Sequence, residues 1–177
     1  MAWLDVEGFP DAGKGETWAK DYPDVTLNVW TGCYQGSWQA DVARFTRENG
    51  TVVVSGPYYI TTSAAPHFTW EQMYAVDLAN FTGGNSSAAM QHVSGGEICA
   101  WDDAAGTDSG DLSIQITPYI FGAAEAWWSP QALTSGKAPD AMRAHHQRCR
   151  LGQRGFATHP FYAFGTFCPM EYEVAAV

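Results

Sequence analysis

The decapeptide Ser94–Asp103, SGGEICAWDD, brings a short apolar run to a tryptophan and follows it at once with two carboxylates. A strand end that merely turns into solvent usually carries Gly, Asn or Pro. An aromatic plane beside carboxylates suits a sugar: the indole face receives the apolar side of a pyranose ring, and the acids accept from its hydroxyls. The same residues also fit a buried Trp101 followed by a solvated acidic loop, because exposed Asp pairs are common in turns. Their place in a fold has to decide between the two.

Other residue types narrow the chemistry. Eight Trp, eight Tyr and nine Phe give an aromatic share of 14%, and aromatics beyond the needs of a core often line ligand surfaces. The formal net charge is −10, which opposes binding to a phosphate backbone, so no nucleic-acid partner is expected. His145-His146 lies in a basic stretch expected to be a solvent-facing helix, and His67, His92 and His159 have no partner at ligand spacing. No metal and no cofactor are therefore expected. Cys33, Cys99, Cys149 and Cys168 contain no CxxC pair, which argues against a zinc ribbon or a dithiol redox motif. Cys99, within an apolar strand, reads as a buried small hydrophobe. Three sequons, at Asn49, Asn80 and Asn85, are each weak evidence of passage through a secretory route.

A chain of 177 residues with 46% hydrophobic and 16% charged residues can form one domain with a core. No apolar run approaches the roughly 20 residues of a membrane span. The first residues, MAWLDVEGFP, lack the basic and apolar regions of a signal peptide.

The elements that must carry the aromatics follow from periodicity. Ala2–Val6, Asp24–Trp30, Thr51–Ser55 and Gly95–Trp101 read as strands, and TVVVS is continuously apolar, as expected of a strand buried on both faces. Ser37–Asn49 reads as a helix with Trp38, Val42 and Phe45 on one face, closed by Asn49-Gly50. Trp70–Leu78 is a shorter helix, and Asn80–Ser87 is a loop. Asp111–Ser129 reads as a loop entering a buried helix at Pro118, where proline suits a first turn. Asp140–Gly155 is a further helix, and the tail beyond Pro160 is irregular. Strands alternating with helices predict a parallel α/β sheet of about four strands, half of what a closed (β/α)₈ barrel contains.

In such sheets ligands meet the C-terminal strand ends, and here those ends are expected to carry Trp3, Trp30, Tyr58-Tyr59 and Trp101-Asp102-Asp103. The ordered set NVW, VVVSGPYY, GGEICAW, GAAEAWWS and HQRCRLGQRGFATHP resembles the C-terminal half of β-N-acetylhexosaminidases of glycoside hydrolase family 20. That family shows a VW strand, an apolar strand ending PWYL, a GGEACMWGE strand, an AERLWS helix and a final HxRC…RG…QP segment. The resemblance covers nearly the whole chain. It implies a fold of class α/β, the C-terminal half of a (β/α)₈ TIM barrel with a C-terminal helix and irregular tail, over a domain of residues 1–177.

The resemblance also implies roles. Trp3, Trp30 and Trp101 would wall a pocket for an N-acetylated sugar, with Trp101 beneath the ring. Tyr59 would donate to the acetamido oxygen, and Asp103 would accept from distal hydroxyls. The implied reaction releases terminal N-acetylglucosamine or N-acetylgalactosamine from glycans with retention, the substrate's own acetamido oxygen acting as nucleophile. A lysosomal or secreted location, a disulfide between Cys149 and Cys168, and the option of a homodimer come with it, while Cys33 and Cys99 are expected to stay reduced.

The chain departs from the pattern in one decisive respect: it contains no Asp-Glu dipeptide, the pair that protonates the leaving group and orients the acetamido nitrogen. Tyr58 stands for the Trp of PWYL, Thr61 for an Asn or Asp, and Asp103 for a longer Glu. Three readings follow: a fragment of a longer barrel, a binding module without catalysis, or a decayed paralogue. The fragment is the one expected, because a free half barrel would expose strand edges. The 177 residues alone are expected to be inactive.

Overall fold

The computed structural model describes residues 2–5, 22–30, 38–60, 68–100, 112–156, 158 and 168, with backbone alone at 2–5 and 112–115. Four strands form one parallel sheet in the order of the sequence: β1 (Ala2–Asp5), β2 (Val25–Val29), β3 (Thr51–Val54) and β4 (Val93–Gly96). Between and after them lie α1 (Trp38–Arg47), α2 (Trp70–Tyr74), α3 (Ser87–Met90), α4 (Leu112–Trp128), α5 (Gln131–Thr134) and α6 (Ala141–Gln153). A parallel, sequential order requires each connection to cross over, and α1 makes that crossing between β2 and β3 while α2 and α3 lie between β3 and β4.

The sheet divides into two faces by simple alternation. Leu27 and Val29 of β2, with Val52 and Val54 of β3, are fully buried against Trp38, Val42 and Phe45 of α1. Thr26 and Asn28, and Val53 and Ser55, occupy the alternate positions and so belong to the other face. The helix-side face is the core, and the other face carries the candidate site.

Local chemistry explains the elements. At its end Asn49 adopts φ 61°, and the Gly50 amide donates to the Phe45 carbonyl at 2.9 Å, which turns the chain from α1 into β3. Thr69 and Gln72 form a reciprocal capping box on α2, and the Asp140 carboxylate accepts from the Met142 and Arg143 amides to start α6.

Several expectations need correction. The last strand begins at Val93, not Gly95, and its register shifts between Val52 and Val53, so that Gly95 pairs with Val53. Gly95 sits at φ 136°, a backbone state that L side chains rarely take, and the extra residue makes the bulge. α2 ends at Tyr74, short of Leu78, and α3 occupies Ser87–Met90 at the edge of the expected loop. Pro118 lies within α4 and not at its start. An interior proline costs about 3 kcal/mol, and burial of the following turns, including Ala123 and Ala126, opposes that cost. α4 also approaches α2 closely: a Cβ at Gly122 would lie 2.3 Å from the Trp70 carbonyl oxygen. Only glycine permits that approach.

Of the tyrosine pair, Tyr58 turns into the helix-side core, fully buried and edge-on to Trp127 at 5.0 Å between ring centroids. Burial pushes its phenol well above the ordinary tyrosine value. The neutral form is therefore favoured by folding, and its contribution is intact below the unfolded value of about 10 and is lost as pH rises above it. The melting temperature is expected to fall above pH 10, and Tyr58→Phe to soften that fall. Thermal melts from pH 8 to 11 check this, and identical alkaline curves for both proteins would reject it.

Candidate functional site

The site is built where β2 and β3 end. Trp30 follows the last residue of β2, two positions after Asn28 and on its face of the sheet. Beyond β3, a single 3₁₀ turn, Gly56–Tyr58, holds Pro57 as its second residue and is closed by the Tyr58 amide donating to the Ser55 carbonyl at 2.8 Å. The chain then straightens at Tyr59, whose φ and ψ of −78° and 120° are extended. Tyr58 thus enters the core, and Tyr59 comes to Trp30. Their ring centroids lie 6.5 Å apart with planes inclined by 43°. Two aromatic planes at that angle form a corner, a shape that holds a small group with a flat apolar face better than a parallel stack would.

The third strand end joins them. Tyr59 forms a parallel bridge with Cys99, the Cys99 amide donates to the Tyr58 carbonyl at 3.2 Å, and the Ile60 amide donates to the Cys99 carbonyl at 2.9 Å. GGEIC therefore runs alongside the exit of β3. Gly96 within it is required by packing, because a Cβ there would lie 2.6 Å from the Trp127 indole.

Below the aromatic corner, three polar side chains cross the sheet. The Ser55 hydroxyl donates to the Asn28 Oδ1 at 2.5 Å, and the Asn28 Nδ2 donates to the Glu97 Oε2 at 3.0 Å. Ser55 is fully buried, and Asn28 and Glu97 are half-buried. None of the three was singled out from sequence. Glu97 stood inside the GGEICAW motif without a role, and the only available signal for Asn28 was its alternation with Trp30.

The expected site residues are only partly brought together. Trp30 and Tyr59 meet. Trp3 is the second residue of β1 and pairs with Thr26, while Asp5 pairs with Asn28. Trp3 is thus four positions below the level of Trp30, and the expectation that it stands at a strand end is corrected. The ladder is set by backbone register, which the position of an aromatic in the sequence does not reveal. Trp101, Asp103, Cys33 and the tail beyond Pro160, apart from Cys168, lie outside the described residues.

Cys149 and Cys168 form a disulfide with Cα atoms 5.5 Å apart, within the separation a bridge requires. Cys99 holds a reduced thiol and is half-buried, not buried as expected. His145 is also corrected: it is 3% exposed, with its Nε2 3.7 Å from the Cys149 Sγ. Helical spacing puts His145, Arg148 and Cys149 on one face, and the face is covered. Burial pushes the Arg148 guanidinium below its ordinary value, and its Nη2 approaches the Cys168 Sγ at 3.0 Å. The His145 nitrogen and the two sulfurs lie within 4.8 Å of one another. With both sulfurs joined in a disulfide, neither offers the thiolate that a soft metal would need.

A parallel α/β sheet with an aromatic corner at adjacent C-terminal strand ends defines a class of small-molecule site. Comparisons with known proteins narrow it. No protein-family model matches the chain. The beta-hexosaminidase subunit beta of Felis catus is 28% identical over 152 residues, covering 85% of this chain and 26% of that protein. The subunit alpha of Bos taurus is 29% identical over 155 residues, covering 85% and 27%. Beta-hexosaminidase 3 of Arabidopsis thaliana is 33% identical over 117 residues, covering 64% and 20%. The chain is related to the beta-hexosaminidases of glycoside hydrolase family 20. It spans about a quarter of the length of the relatives it matches most fully.

Proposed function

We propose that this chain supplies the acetamido-binding wall of a β-N-acetylhexosaminidase that removes terminal N-acetylglucosamine or N-acetylgalactosamine from glycans. The observation that carries the proposal is the corner of Trp30 and Tyr59, with Tyr59 bridged to Cys99 two residues before Trp101. In this reading the chain is the C-terminal half of a (β/α)₈ barrel. Trp101 extends the wall and lies beneath the sugar ring, and Asp103 accepts from its distal hydroxyls.

The chemistry follows from the substrate. Its acetamido oxygen attacks the anomeric carbon as the glycosidic bond breaks, forming a cyclic intermediate that water opens with overall retention. Tyr59 donates to that oxygen and holds it in line, a positioning contribution. The departing oxygen takes a proton from a Glu of an Asp-Glu pair that these 177 residues do not contain. The pair would come from a preceding half barrel. A binding module without catalysis is the second reading, and the missing pair is the observation that favours it.

The compartment belongs to the proposal as well. A disulfide persists in oxidising surroundings, and the asparagines of all three sequons, Asn49, Asn80 and Asn85, are exposed. Both support a secreted or lysosomal glycoprotein. No helix among the described residues is long and apolar enough to cross a membrane.

Binding tests the site directly. Titration calorimetry with N-acetylglucosamine is expected to show saturable binding to the chain, and none with glucose, which lacks the acetamido group. Trp30→Ala should weaken it roughly 30-fold, as expected for an aromatic anchor. Equal binding of both sugars, or an unaffected Trp30→Ala variant, would overturn the acetamido assignment.

A further inference from the structure

We propose that Glu97 is a positioning residue: through Asn28 and Ser55 it fixes the angle between Trp30 and Tyr59. The inference rests on the sugar-site reading for its purpose, but its geometry stands independently. The three side chains come from β2 and from the residues that immediately follow β3 and β4, and they meet on the face of the sheet that holds the aromatic corner, just below it.

The direction of each hydrogen bond follows from Glu97. An ionised carboxylate only accepts, so the Asn28 amide must present its Nδ2 to Glu97, at 3.0 Å. That turns Oδ1 toward Ser55, whose hydroxyl donates at 2.5 Å. Ser55 is where this chain of contacts reaches the backbone of the site. Its amide donates to the Val29 carbonyl at 3.0 Å, and its carbonyl accepts from the Tyr58 amide at 2.8 Å, closing the turn that delivers Tyr59. Asn28 lies two residues before Trp30, and the Glu97 amide donates to the Val54 carbonyl at 3.1 Å.

One carboxylate thereby ties the base of Trp30 to the base of Tyr59 across β3. Ser55 is fully enclosed, so water cannot readily replace a lost partner. Removing the Glu97 carboxylate frees the Asn28 amide to rotate, and both aromatic bases loosen together. Glu97 acts on the corner through Asn28, and Asn28 in turn through Ser55.

The test uses the whole chain labelled with 5-fluorotryptophan, with the Trp30 fluorine resonance assigned by its loss in Trp30→Phe. In Glu97→Ala that resonance is expected to shift or broaden, while those of Trp38 and Trp127 keep their positions and report an intact fold. Glu97→Gln, which retains an acceptor, should restore it. Asn28→Ala cuts the same tie from the other side, should disturb the same resonance, and serves if Glu97→Ala does not fold. In parallel, affinity for N-acetylglucosamine should fall roughly tenfold in Glu97→Ala and less than twofold in Glu97→Gln, the scale of one lost hydrogen bond to a charged group. An unmoved Trp30 resonance in Glu97→Ala or Asn28→Ala overturns the positioning role, whatever the sugar affinity. A moved resonance without sugar binding by the unsubstituted chain supports the positioning role and rejects the sugar reading alone.

Discussion

Incubated with a chromogenic N-acetylglucosaminide, the 177-residue chain is expected to release no product above the uncatalysed rate. The reasoning is chemical. Breaking the glycosidic bond puts negative charge on the departing oxygen, and the sequence holds no Asp-Glu pair to protonate it. General acid–base assistance is worth on the order of 10²–10⁴ in rate. In the proposed reading Tyr59 holds an acetamido oxygen in line, but without a proton donor the leaving group must still depart unprotonated. Supplying a half barrel that carries the Asp-Glu pair, by fusion ahead of residue 1, should then restore turnover. In that restored protein Tyr59→Phe should lower kcat more than it raises KM, because its hydrogen bond tightens as the oxygen becomes a nucleophile. Hydrolysis by the purified chain alone would overturn the missing-acid argument. A correctly folded fusion without turnover would overturn the hydrolase reading and leave binding as the function of the site.

Reduction of the Cys149–Cys168 bridge is expected to have the largest effect on stability. The two residues are separated by 19 positions, and α6 carries Cys149 at one end of the bond. Closing a loop of that length removes unfolded-state freedom worth roughly 3 kcal/mol. At about 2–4 °C per kcal/mol for a domain of this size, Cys168→Ser should melt roughly 6–12 °C lower than the oxidised chain. A reducing agent should lower the oxidised chain to the same value and leave Cys168→Ser unchanged. Mass spectrometry of the oxidised protein should show a single bridge, with the Cys99 thiol available to alkylation after unfolding. Equal melting of the oxidised and substituted proteins would reject the stabilising role. Free thiols at both positions in material from an oxidising compartment would reject the bridge itself.

Much of the frame was legible in the residues. The β-branched runs at Val25–Val29 and Thr51–Val54 are strands, because such side chains pack well on a pleated surface. α1 and α6 fall where apolar spacing, Asp140 and Asn49-Gly50 put them. Pro118 suits a helix start by its local chemistry, yet α4 begins at Leu112 and runs through it. The bounds of β4 differ from expectation for another reason: a bulge at Gly95 breaks the alternation from which strands are recognised.

The sequence by itself determined the order of strands and helices, the paired cysteines through their family resemblance, and the aromatic types available to a site. The tertiary structure alone decided which member of each adjacent pair reaches that site. Tyr58 and Tyr59 are chemically near-identical neighbours, yet one is wedged against Trp127 and the other meets Trp30. Trp127 packs on Gly96, whereas Trp128 is 89% exposed. Neighbouring side chains leave a strand or helix in different directions, so local sequence fixes their relative orientation. Which direction is covered depends on elements far along the chain, as when Glu97 reaches Asn28 across 69 positions. A buried polar contact of that kind has no local signature, because each partner is chosen by where the other's strand happens to lie.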